Sequence, residues 1–290
     1  MNNTISYLLS ASLSEQTKKA YARAWRHLKD YLEEEATLHP LPLSVDCIMG
    51  FIGHLYNLRY APATITSSVS AISFVHRLLG LRDPGEVPLV KQMLQGCRRL
   101  ASSHDRCLPI TVFLLEKILQ AAEQTISCQF TQARFAAMCS LAFFALLRPG
   151  EMTTSVNNLL FSDIRIEANQ IILQFRCYKH SQGMQSTHMV PARPDTNVCP
   201  VKRLTKFIAF RGQQQGPLFS TQKNSPIDPR VFASELKGIM QQIGLDAMRY
   251  TPHSFRIGRA SALASEGYSD TQIRQAGRWS SSAFLSYIRQ

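Results

Sequence analysis

His253 and Arg256 stand three residues apart in "TPHSFRIGRASALASEG", residues 251–267. Thr251 reads as an N-cap and Pro252 as the first helical residue, so the pair falls on one face of a helix near its positive end. An arginine facing a histidine there needs an anionic partner to offset burial, and the adjoining residues supply none. The spacing predicts a place for an anion, with a salt bridge to a distant carboxylate as the plainer alternative.

Other residues have chemistry to offer and a bland explanation each. In "LAFFALLRPGE" an apolar helix is expected to end at Arg148, where a cation suits the helix dipole, and Glu151 could hold its guanidinium in a bidentate pair. Lys179 opens the polar turn "YKHSQGMQSTH", where lysines are ordinarily solvated. Trp279 follows Gly277, an expected helix stop, and Ser280 to Ser282 would cap a last helix, "SSSAFLSYIRQ", carrying Tyr287. A tryptophan and a tyrosine in such places are ordinary packing residues, although the indole N–H can donate to a buried oxygen.

The elements that must position them read as mainly α with a small antiparallel β-sheet. Residues 1–106 are expected to be helical throughout. In "SEQTKKAYARAWRHLKDYLEEE" the apolar residues share one face, leaving Lys18 and Lys19 largely off it. "APATITSSVSAISFVHRLLG" is a helix closed by Gly80, and its Thr64, Ser67 and Ser68 are short hydroxyl residues that would let it approach a phosphate backbone. "ASSHDRCLP" (101–109) reads as a linker, so two domains are expected, 1–106 and 107–290. The second opens with helices at about 110–124 and 131–147. "NNLLFSDIRIEANQIILQFRCYKHSQGMQSTHMVPAR" then alternates like two or three antiparallel strands, and helices return from "CPVKRLTKFIAFRG" onward.

The chain has 290 residues with 32 basic and 20 acidic side chains, a formal net charge of +12. Residues 1–106 carry +3 of that and residues 107–290 carry +9. Such a balance favours a polyanionic partner, and double-stranded DNA is the one expected. No apolar run approaches the roughly 20 residues of a membrane span, and the N-terminus lacks the pattern of a signal peptide, so no membrane and an intracellular protein are expected. The seven cysteines include no C-x-x-C pair and read as buried thiols, so no metal site is expected.

Taken in order, Arg148, Lys179, His253-x-x-Arg256, Trp279 and Tyr287 reproduce the pattern R…K…HxxR…(H/W)…Y, and the sequence here resembles the tyrosine recombinase (phage integrase) family. "HSFRIG" and "GRWSSSAFLSYIR" look most like the eukaryotic branch found in DIRS-type retrotransposons and Crypton elements, which would place the protein in the nucleus. The resemblance implies a two-domain fold, with an N-terminal helical DNA-clamping domain and an α+β catalytic domain entered at "CLPIT". It implies that Tyr287 forms a covalent 3′-phosphotyrosine and frees a 5′-hydroxyl, with Lys179 as general acid. Arg148 and Arg256 would present forks of donors to the phosphate, with His253 and Trp279 adding single donors. His253 is also the residue expected to accept the phenol proton. No cofactor, metal or ATP is expected, and the partners are duplex DNA and further copies of the chain on it. Arg259, one turn beyond the HxxR pair, is a further candidate DNA contact. Tyr287 follows Trp279 by eight residues where many members of the family place it nine later, and only three residues follow it, where many relatives carry a helix that docks on a neighbouring subunit. A type IB topoisomerase and a transposon-derived DNA-binding protein without catalysis are the alternatives.

Overall fold

The structure, a computed structural model, describes residues 4, 7, 11–35, 41–100, 107–154, 157–176, 186–192 and 196–289. It divides into two compact units, Met1–His104 and Asp105–Gln290.

The first unit is helical: α1 (Glu15–Glu34), α2 (Val45–Asn57), α3 (Pro62–Leu78) and α4 (Pro88–Leu100). Ser14 caps α1 by accepting from Thr17 N at 3.2 Å, and Ala24, Leu28 and Tyr31 form its buried stripe. The core gathers Ile48, Phe51, Ile52, Leu55, Ile65, Val69, Ile72 and Val90. His76 is buried but satisfied at both ends. Its Nε2 accepts from Leu43 N at 3.0 Å while Nδ1 donates to Ile72 O at 2.9 Å, so a neutral ring pins the segment before α2 to α3. Gly80, at φ 68, follows α3 in the left-handed conformation that glycine adopts without strain.

The second unit surrounds α6 (Gln129–Phe144), which is apolar on all sides; every residue from Ala133 to Phe143 is buried. A helix of this kind runs through a core rather than along a surface. Its one charged residue there, Arg134, pairs with Glu235. Around it lie α5 (Val112–Thr125), α8 (Pro200–Arg211), α9 (Pro229–Gln242) and α10 (Ser254–Ser265), with Phe207 edge-on to Phe130 and Phe255 stacked on Phe232. The short α7 (Pro149–Met152) follows α6, and α11 (Asp270–Ala276) precedes a 3₁₀ segment, Ser282–Tyr287.

The sheet has three antiparallel strands in the order β1 (Ile164–Ile166), β2 (Gln170–Phe175), β3 (Ser186–Pro191). Ile171, Leu173 and Phe175 of β2 are buried and lie opposite Val190, His188 and Ser186 of β3. The alternation therefore carries His188 onto the core face.

Three local expectations change. The helix at 251–267 starts at Ser254, with His253 at the cap in a helical conformation and Thr251 Oγ1 accepting from His253 N at 3.2 Å. Arg148 does not end a helix: α6 stops at Phe144, Leu146 turns at φ 49, and Arg148 is the cap residue of α7. The last helix is a 3₁₀ turn, because its few residues lie over a small apolar cluster that cannot support several turns.

Candidate active site

Ala145 and Leu146 leave their carbonyls exposed at the end of α6, the negative end of its dipole. Arg256 donates from Nη1 to Leu146 O, and Arg278 donates to Ala145 O at 3.2 Å and to Leu146 O at 3.4 Å. Arg256 also donates from Nη2 to Gly277 O, at the C-terminus of α11. One guanidinium thus joins the carbonyl ends of two helices to the start of a third. Cations do stabilise the end of α6, and they come from residues more than a hundred positions away rather than from Arg148.

Arg148 is held instead by Glu151, which is 3% exposed. Glu151 Oε1 accepts from Arg148 Nη1 at 3.1 Å, and Oε2 accepts both Arg148 N at 2.7 Å and Arg278 Nη2 at 2.9 Å. The expected bidentate pair is replaced by a carboxylate shared between two arginines. Arg148 Nη2 also donates to Arg278 O at 3.1 Å. Arg278 is buried, stacks at 4.0 Å on the Phe175 ring, and holds a left-handed φ of 54 that costs a non-glycine residue about 1 kcal/mol.

Over this base sits a ring of aromatic groups. The Arg256 guanidinium lies 4.0 Å from the Trp279 ring centroid and 5.6 Å from that of Tyr287. The Tyr287 ring is 4.8 Å from the His253 ring and 5.1 Å from Trp279. His253, Trp279 and Tyr287 are each half-buried, and their ring nitrogens and hydroxyl make no hydrogen bond among the described residues. Arg148 has its side chain 22% exposed.

Three guanidinium groups gather around one carboxylate, which pairs with two of them, and the site is left short of negative charge. Both nearby histidines respond. Burial, then the charges of Arg256 and Arg148, lower His253 to about 4. Burial and Arg278 lower His188 to about 4. Both rings are neutral at pH 7. Burial and the adjacent guanidinium groups lower Arg256 itself to about 9, so it stays charged.

The structure brings Arg148, Glu151, His253, Arg256, Trp279 and Tyr287 together. Lys179 lies outside the described residues. Arg256 departs from expectation in one respect: it is fully buried, its Nη1 and Nη2 are engaged with carbonyls while Nε has no partner, and Trp279 and Tyr287 cover it. Arg259 is not a surface contact, since it is buried, pairs with Glu266 at 3.0 Å and lies over Phe143. In the first unit Ser68 is also corrected: it is 3% exposed on the core side of α3, whereas Thr64 is half-buried and Ser67 exposed. Lys19 is exposed, and Lys18 is half-buried and paired with Glu15 at 2.6 Å. Arg278 and His188 are the residues that motif reading passes over. The signals were there, a cation beside the tryptophan in "AGRWSSS" and a histidine on the apolar phase of an alternating strand.

Residues 110–288 match the model of the phage integrase family, more than half of the chain. The chain belongs to the phage integrase family. The match takes in Arg148, Glu151, His253, Arg256, Arg278, Trp279 and Tyr287. The integrase/recombinase xerD homolog of Selenomonas ruminantium is 24% identical over 296 residues, covering 97% of this chain and 84% of that protein. The Tn1549 transposon integrase in complex with circular intermediate DNA has a similar structure, with a TM-score of 0.70 at 13% identity over 99% of this chain and 93% of that one. A lambda integrase dimer bound to a COC′ core site gives 0.66 at 17% identity over 98% and 74%. At such identities the structural likeness speaks for the integrase fold alone.

Proposed function

We propose that this chain is a site-specific DNA recombinase that cuts and rejoins strands through a covalent bond between DNA and Tyr287. The observation that carries the proposal is the meeting of Arg148, His253, Arg256 and Trp279 around a half-buried tyrosine beside a neutral imidazole. The Tyr287 oxygen attacks phosphorus, and His253, uncharged at neutral pH, accepts the phenol proton. The 5′-oxygen leaves with a proton supplied by Lys179. The phosphotyrosine preserves the energy of the broken linkage, so religation is the same reaction run backwards.

As the tyrosine arrives, negative charge accumulates on the non-bridging oxygens, and the surplus positive charge of the site is suited to meet it. Arg148 and Trp279 Nε1 contact the phosphate first. Arg256 lies beneath them and acts through its charge. One chain carries one Tyr287, so exchange between duplexes needs several copies on DNA.

In the first unit, α3 offers Thr64 and Ser67 to the phosphate backbone, with Arg98 of α4 reaching the same face through Thr66 Oγ1 at 3.3 Å. Lys18 and Lys19 of α1 add charge. The wording of "HSFRIG" and "GRWSSSAFLSYIR" supports placement with the DIRS and Crypton recombinases of eukaryotes, and hence in the nucleus.

The test begins with a DNA site recovered by selecting bound sequences from a random pool. Wild-type protein should form a covalent adduct with it in the presence of EDTA, and Tyr287→Phe should bind equally well without forming one. An adduct that survives the substitution, or one that requires magnesium, contradicts the proposal.

A further inference from the structure

We infer that Ser261 is a positioning residue for the attacking tyrosine: its side-chain oxygen holds the backbone that leaves Tyr287 to the helix that carries His253 and Arg256. The inference rests on the reading of Tyr287 as the nucleophile. Ser261 Oγ donates to Tyr287 O at 3.3 Å and accepts from Arg289 N at 2.8 Å. One hydroxyl uses its single proton and one lone pair on the two peptide groups that directly follow the reactive residue.

The segment needs such a tie. Ser282–Tyr287 is a short 3₁₀ run, a weak structure by itself, and its other polar contacts are internal. Ser281 Oγ accepts from Ala283 N at 3.4 Å, and Ser286 Oγ donates to Ala283 O at 2.8 Å. Among the described residues its hold on the rest of the unit is otherwise ring and apolar packing, through buried Phe284, the rings of Trp279 and His253, and the Arg256 guanidinium 5.6 Å from the Tyr287 ring. Apolar contact is non-directional and permits sliding. The two hydrogen bonds to Ser261 have direction, and they end on α10, five residues or about 7.5 Å along the helix from Arg256. Nucleophile and phosphate-binding charge are thereby referenced to one rigid element, as in-line displacement demands.

The experiment measures the single-turnover rate of adduct formation on the selected site for wild type, Ser261→Ala, Ser261→Thr and Tyr287→Phe, with DNA affinity and Tm alongside. A misplacement of about 1 Å costs on the order of 10²-fold, so Ser261→Ala should slow adduct formation by about 10- to 100-fold. Its DNA affinity should be unchanged, and alanine, the better helix former, should not loosen α10. Ser261→Thr keeps the oxygen and should recover most of the rate. An alanine variant as fast as or faster than wild type overturns the inference, as does failure of threonine to rescue. No adduct with wild type, or one with Tyr287→Phe, instead overturns the reading of Tyr287 and the inference with it.

Discussion

Arg256 reaches a buried position by answering to two helix C-termini at once. Lysine brings a charge but no fork, so it cannot donate to Leu146 O and Gly277 O in the same geometry. Arg256→Lys should therefore slow adduct formation on the order of 10²-fold or more, and a normal rate would make Arg256 dispensable to the chemistry. The histidines give a second prediction at this scale. His253 and His188 are held at about 4, against an ordinary value of 6.5. Between those values the unfolded chain binds protons that the folded chain refuses, so stability falls as pH drops through that window. Tm measured from pH 7 to pH 5 should decline, and less steeply in His253→Asn or His188→Asn; equal slopes would show that the rings are not the source. The type of each residue was readable, and a histidine and an arginine three apart announced an anion site. That Arg278 belongs to it is decided by distant partners, the Glu151 carboxylate and the carbonyls of Ala145 and Leu146, more than a hundred positions away.

At the scale of elements, α10 is the frame of the site and Gly258 is what lets it sit where it does. A Cβ at Gly258 would stand 1.8 Å from Ile110 O, a backbone atom, and Ile110 N donates to Ser254 O at 3.1 Å. Gly258→Ala must push α10 away from that strand-like entry segment. It should cost at least about 2 kcal/mol, visible as a lowered Tm. The junction of α6 and α7 depends in turn on Glu151. Glu151→Gln keeps the shape but removes the carboxylate that Arg148 and Arg278 share, and breaking a buried pair of this kind costs about 3 kcal/mol. Bound DNA should raise the Tm of this variant more than that of wild type, since the phosphate supplies charge the site has lost; an equal gain would contradict the account. Apolar periodicity located most of these helices, and the stretch that forms most of α6 read as an apolar helix. The end of α6 differs from the expectation because its carbonyls are met by Arg256 and Arg278 from distant parts of the chain, whereas the start of α10 differs by a local turn in which Thr251 Oγ1 accepts from His253 N.

For the whole molecule, a net charge of +12 implies binding to DNA that weakens steeply with salt. Replacing Lys18 and Lys19 by alanine should reduce the slope of log K against log salt by about 1 to 2, uniformly across DNA sequences. A sequence-dependent loss would mean that these residues read bases. The larger excess of charge lies in residues 107–290, so the second unit by itself should retain a salt-dependent affinity.

Composition, periodicity and motif order by themselves determined a mainly helical protein with a small antiparallel sheet, a polyanionic partner, and a short set of residues able to handle a phosphate. These depend on side-chain type and on local repeats of 3.6 or 2 residues, which sequence carries directly. Only the tertiary structure decided that Glu151 serves two arginines, that Arg256 lies beneath Trp279 and Tyr287 instead of at the surface, that Ser68 and Arg259 face inward, and that Ser261 clasps the tyrosine segment. Each of these turns on which backbone carbonyl or buried face comes within about 3 Å of a side chain from far along the chain, a matter of packing that no local pattern records.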